Sequence, residues 1–289
     1  MRTSDLIRLL SLAAIWSGSF IFIKVLAPVL GPVVTACLRV LIAGVVLSVY
    51  FYAIKFDVEW KKYWKHYFII GVVNSSIPFL LYAVAALYIP ASLSVILNSS
   101  TPLFSAIFAA IWLRDKLTPR KIVGLVLGMA GVSFVALKEA ISISKFGMYA
   151  ALACLGAAIC YGLAGIYIKK FSPFLKPLAI AGASQLAAGL ALVPFMFLNP
   201  IKGTVDFSIV LNMLALALLC SGVAYILYYR LIEDIGPVKA ATVPMIMPAF
   251  GLLWGVIFLK ETITLQMMIG CLFIMAGLIL VLFKKNSAT

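Results

Sequence analysis

Apolar runs of about 20 residues succeed one another along the whole chain, and a water-soluble fold does not accommodate that pattern. A helix crosses the bilayer core in roughly 20 residues, and in hydrocarbon every backbone N–H and C=O must be paired within its own segment. Breaks of charge, proline and glycine divide the runs into expected spans at 6–28, 33–54, 67–88, 91–113, 119–138, 146–168, 176–198, 208–232, 238–259 and 263–283. With 65% hydrophobic and 11% charged residues over 289 positions, the expected fold is an all-α integral membrane protein of ten transmembrane helices, with no room for a separate soluble domain. The first run follows basic residues as a signal peptide would, but it has a counterpart later in the chain and is read as a retained span.

A net charge of +14 suggests nucleic acid only in a soluble protein; here the 23 Lys and Arg fall mainly between apolar runs, where topology puts them. If the N-terminus is cytoplasmic, 17 of them lie on the inner side, four on the outer side, and two, Lys24 and Arg39, within spans. That bias predicts a plasma (inner) membrane protein with both termini in the cytoplasm, lipid as its surroundings and no nucleic-acid partner. Cys37, Cys154, Cys160, Cys220 and Cys271 all sit inside apolar runs without metal-type spacing and read as small buried residues; no metal or cofactor is expected.

The sequence also repeats itself. At an offset of 145, Ala13 meets Ala158, Ile23 meets Ile168, Lys24 meets Lys169, Pro32 meets Pro177 and Gly44 meets Gly189; at 146, Ser75 meets Ser221, Tyr82 meets Tyr228, Pro102 meets Pro248, Asp115 meets Glu261 and Thr118 meets Thr264. A nearly constant offset through five successive spans signals duplication, with units at 1–143 and 144–289. Five is odd, so the second unit enters the membrane from the opposite side. Two inverted five-helix repeats around a central cavity form a scaffold for alternating access, with substrate near the midplane.

The segments Ile15-Trp-Ser-Gly-Ser-Phe-Ile-Phe-Ile-Lys24, Leu38-Arg-Val-Leu-Ile-Ala43, Ile89-Pro-Ala-Ser92, Thr101-Pro-Leu-Phe104 and Leu113-Arg-Asp-Lys-Leu-Thr118, with Gly124, resemble the EamA family of the drug/metabolite transporter superfamily. The resemblance implies ten helices around a cavity and substrates drawn from amino acids, related metabolites and organic ions, often moved outward. It does not select a cargo.

Polar residues within the spans are the candidates for that choice. Lys24 and Arg39 lie roughly 6–9 Å below the outer boundary at 1.5 Å per residue. Lys24 either snorkels to the headgroups or faces substrate; Arg39, deeper among apolar neighbours, is expected to face a central cavity open to the outside. None of the nine acidic residues falls mid-span, so a substrate carboxylate or phosphate is the expected counter-ion. Pro78 and Pro102 each remove one helical hydrogen bond, which is expected to free the carbonyls of Asn74 and Asn98 toward a cavity, with Ser99 beside them; Pro248 lies mid-span in the same way. The competing reading of these Asn and Ser side chains is helix-to-helix hydrogen bonding.

Asn74, Pro78 and Tyr82 share one helix face, and Ser221, Tyr225 and Tyr228 share the related one; Trp16 and Tyr161 occupy aligned positions, and Ser19 and Gln185 complete the candidate set. The aromatics can hold an ammonium group or stack on a ring. Gly124, Gly128 and Gly131, with Gly270 and Gly277, read as close-packing stripes and offer a homodimer through the fifth and tenth helices.

A small-molecule transporter for zwitterionic or anionic metabolites, most of all amino acids, is the leading reading. A multidrug or organic-cation transporter is the alternative cargo. A membrane enzyme finds little equipment in a sole histidine, His66, without HExxH or an intramembrane carboxylate pair, and a receptor or purely structural role would show no flux.

Overall fold

The computed structural model describes residues 3–137, 146–235 and 242–282. Arg2, Lys138, Glu139, Lys145, Lys239, Lys284 and Lys285, used in the charge argument, lie outside the described residues.

All regular structure among the described residues is helical. The elements are α1 (Thr3–Leu30), α2 (Pro32–Ala53), α3 (Trp60–Ala85), α4 (Ala91–Trp112), α5 (Pro119–Val135), α6 (Gly147–Phe171) and α7 (Pro177–Phe197). They continue with α8 (Phe207–Leu214, Ala215–Val223 and Ala224–Ile235), α9 (Val243–Leu259) and α10 (Leu265–Leu282). Eight of these are long and apolar enough to cross a membrane, while α5 and α9, with 17 residues each, fall short of that length. The expected spans agree with the helices to within a few residues, except that α3 begins at Trp60 rather than 67. Lys61, Lys62 and Lys65 sit in its first turns without ending it, because long cationic side chains reach outward from a helix that is still regular.

Local chemistry sets the ends. Gly31 has φ 81°, a left-handed conformation that glycine adopts without a Cβ clash, and Pro32 starts the next helix at once, so α1 and α2 form a tight hairpin. Thr118 accepts from the Lys121 N–H at the start of α5, and Asp206 from the Ile209 N–H at 2.9 Å at the start of α8.

α2 lies along α7 and α5 along α10, each pair brought close by glycine. A Cβ on Gly44 would stand 2.5 Å from the Leu186 nitrogen, and one on Gly277 would stand 2.5 Å from the Gly124 oxygen. The glycine stripes offered for a homodimer are therefore used within one chain, where α5 meets α10.

π-turns interrupt the regular helix at Val72–Ser76 in α3 and at Ala215–Val223 in α8, and α4 breaks at Ser99 and Ser100 ahead of Pro102. The expected breaks near Pro78 and Pro102 are present. The one in α8 has no proline beside it, and α9 runs on through Pro248. Near the ends of the helices, Arg8 on α1 pairs with Asp234 on α8.

Candidate functional site

α1, α2, α3 and α4, with α6, α7, α8 and α9, enclose a cavity of about 270 Å³, while α5 and α10 stay outside it. The interrupted helices matter here: Asn74 comes from the π-turn of α3, Ser221 from that of α8, and Asn98 from the break in α4.

Arg39 lies on the cavity wall, 4% exposed. Its Nε donates to Ser221 Oγ at 2.8 Å, and its guanidinium carbon stands 3.7 Å over the Phe79 ring. Ser221 Oγ in turn donates to the Leu216 carbonyl, a bond that follows the π-turn spacing. Among the described residues, no carboxylate lies within ion-pair distance of Arg39. One edge and one face of the guanidinium are thus held in place, and its terminal amino groups make no hydrogen bond to the described residues. Such a planar fork suits an oxyanion.

Aromatic side chains form the remaining walls. Trp16 meets Tyr228 at 5.2 Å and Tyr225 at 6.1 Å, and the aligned pair Tyr161 and Tyr82 stands at 6.2 Å. The Tyr82 hydroxyl donates to Asn98 Oδ1 at 2.7 Å, which fixes the amide at the wall. The Tyr225 hydroxyl faces Asn74, Ser75 and Gln185; Ser75 Oγ and both amide atoms of Gln185 are buried short of standard hydrogen-bond geometry.

Within this frame, the chain matches the EamA-like transporter family twice, over residues 4–137 and 148–283. The chain belongs to that family. YvbV of Bacillus subtilis, an uncharacterized transporter, is 23% identical over 99% of this chain and 94% of its own. A protein of Salmonella typhimurium named a probable amino-acid metabolite efflux pump is 24% identical over 67% of this chain and 68% of its own. A solved crystal structure at 17% identity superposes with a TM-score of 0.68 over 97% of this chain and 96% of that one, a likeness of fold. The protein is an integral membrane protein of the EamA-like transporters.

Of the residues singled out in the sequence of this EamA-like transporter, Trp16, Ser19, Arg39, Asn74, Tyr82, Asn98, Tyr161, Tyr225 and Tyr228 line the cavity. Pro78, Ser99, Gln185 and Ser221 are buried behind the wall, with Ser221 reaching it through Arg39. Lys24 is not at the wall: its ammonium donates to the carbonyls of Ala86 at 2.7 Å and Ile89 at 2.9 Å, the free acceptors where α3 ends. Neither the snorkelling nor the substrate-facing expectation describes it.

The carbonyls around the α4 break are likewise taken up internally. Ser99, Ser100 and Thr101 donate to the carbonyls of Ile96, Leu97 and Asn98 at 2.6, 2.6 and 2.8 Å, so Asn98 contributes its side chain and not a bare backbone oxygen. The cavity extends toward one end of the helices. Its wall continues to Ile168 near the end of α6 and to Ile180 and Pro244 at the starts of α7 and α9, toward the lysine-rich ends of the helices. At the other end α9 packs closely on Ala91–Asn98 and far less on Thr101–Trp112.

Sequence reading missed Phe79 and Ser184, yet the repeat contained both. Phe79 is the 146-offset counterpart of Tyr225, and Ser184 the 145-offset counterpart of Arg39. At that offset a cation and a neutral hydroxyl occupy corresponding positions on α2 and α7, two helices that lie along each other.

Proposed function

We propose that this protein is a secondary transporter that moves small metabolites bearing a carboxylate, most of all amino acids, out of the cell by alternating access. The observation that carries the cargo is Arg39: a guanidinium on the cavity wall, buried, oriented by Ser221 and Phe79, and without a carboxylate at ion-pair distance among the described residues. A buried charge left without a partner costs several kcal/mol by order of magnitude, so a cavity built around one favours an anionic group entering it. The name of the Salmonella typhimurium relative agrees with this class. An organic cation would meet the same aromatic walls, but also Arg39. Counterflow in proteoliposomes tests the reading: internal unlabelled amino acid is expected to drive uptake of labelled amino acid. Stimulation by lipophilic cations alone would refute the cargo.

The architecture we infer is ten spans in two inverted units, 1–143 and 144–289. The two family matches fall one in each unit. Small features recur at the same offset: the Asp115 N–H donates to the Ala109 carbonyl and the Glu261 N–H to that of Gly255, after residues of positive φ at Arg114 and Lys260. Helix pairs recur as well, α1 on α9 answering α6 on α4, and α3 on α6 answering α8 on α1. A homodimer through α5 and α10 would use their outward apolar faces, Val123 and Val126 with Leu272, instead of the glycines.

The charge bias puts the lysine-rich ends in the cytoplasm of a cell whose plasma membrane holds the protein, so the cavity faces inward. A membrane-impermeant thiol reagent added to intact cells is therefore expected to leave Lys61→Cys and Lys170→Cys unlabelled until the membrane is permeabilised. Labelling in intact cells would reverse the orientation.

A further inference from the structure

We propose that Glu261 is a latch that holds the outer face shut while the cavity is open to the cytoplasm, and that it must let go of α4 in each transport cycle. The inference rests on the alternating-access reading above. Glu261 lies in the turn between α9 and α10, and its carboxylate reaches across to the start of α4. There it accepts from the Ala91 N–H at 2.7 Å, the Ser92 N–H at 3.0 Å and the Ser92 hydroxyl at 2.6 Å. The N–H groups of a first helical turn have no partner within the helix, and the helix dipole favours an anion there, so one carboxylate satisfies three donors.

The same turn is held from its other side. Lys24 on α1 takes the carbonyls of Ala86 and Ile89, so residues 86–92 are gripped by a cation on their acceptors and an anion on their donors. Both gripping residues come from α1 and the α9–α10 turn, which close over the outer end of the cavity. α9 carries glycine where it meets α4. A Cβ on Gly255 would stand 2.7 Å from Glu261 Oε2 and 3.2 Å from the Ser92 Cβ, and one on Gly251 would stand 2.6 Å from Val95 Cγ1.

Asp115, the repeat counterpart of Glu261, has the same backbone turn and an exposed carboxylate; the positions that correspond to Ala91 and Ser92, 237 and 238, lie outside the described residues. Glu261 fastens the end of the cavity away from the lysine-rich helix ends, so this fastening belongs to the inward-open state and opposes the outward-open one.

The test reads conformation without substrate. Ile23→Cys, on the cavity wall toward the closed end, is exposed to an impermeant maleimide from outside and, in inverted vesicles, from the cytoplasmic side, with the parent protein subtracted as background. Adding Glu261→Ala is expected to raise the outside rate about ten-fold and lower the inside rate, as the loss of charge-assisted bonds to one state shifts the equilibrium. Gly255→Ala, which puts a methyl against Oε2, is expected to give the same shift while keeping the carboxylate. Unchanged rates on both sides in either variant, on protein that elutes as one monodisperse peak, overturn the latch. Should counterflow fail for every amino acid while the labelling shift appears, the cargo reading falls and the latch stands.

Discussion

Replacing Arg39 by Gln is expected to weaken binding of the amino-acid substrate by about 10- to 150-fold, as follows from a charge-assisted pair in a desolvated site at roughly 1.5–3 kcal/mol. The same change is expected to leave thermal stability unaltered or to raise it. The protein holds the guanidinium without a carboxylate at ion-pair distance among the described residues, and removing a buried, uncompensated charge relieves its desolvation. Arg39→Lys keeps the charge and loses the planar fork and its stacking on Phe79, so it recovers only part of the affinity. A residue that served only to anchor α2 would behave in the opposite way, with lower stability and an unchanged Kd. Calorimetric binding and a melting curve on the same purified Arg39→Gln protein separate the two. Unchanged affinity would eliminate the proposed role.

Gly277→Leu is expected to destabilise the protein without touching its affinity for substrate. The new Cβ would stand 2.5 Å from the Gly124 oxygen and 2.6 Å from the Gly128 nitrogen, both backbone atoms that no side-chain rotation can move. α5 and α10 must then separate along their whole seam. Overpacking costs about 1–3 kcal/mol, which lowers Tm by roughly 2–12 °C for a chain of this size class. Because neither helix lines the cavity, the protein that remains folded is expected to bind with unchanged Kd. Gly165→Ala serves as the contrast: nothing lies within 4 Å of a Cβ there, and its Tm is expected to stay close to that of the parent. A melting curve for Gly277→Leu that overlays the parent would remove the seam from the account of stability.

The helices were legible because the bilayer makes secondary structure a local matter. Where water cannot pair a backbone group, 20 apolar residues have little choice but a helix, and the breaks of charge and proline locate its ends. Proline likewise signalled the interruptions in α3 and α4. The π-turn in α8 had no such marker: Ala215–Val223 contains no proline, and the segment packs on α1 and α2. The candidate site was legible in part for a related reason. A cation or amide inside a span is costly wherever it points, so its presence alone nominates it, and Arg39, Asn74 and Asn98 all line the cavity.

By itself the sequence determined what must be helical, what must be sheltered from lipid, and that the two halves share one pattern. Only the tertiary structure decided the partners: Phe79 beneath Arg39, the Ala86 and Ile89 carbonyls around Lys24, Glu261 on the start of α4, and the end at which the cavity lies open. The physical reason lies in the repeat. In the inverted-repeat architecture proposed above, two similar halves can close on each other at either end, and a symmetric pattern carries no local signal for which end is shut. That choice is made by a few contacts between residues roughly 60 to 240 positions apart, on helices whose separation and rotation no single segment encodes.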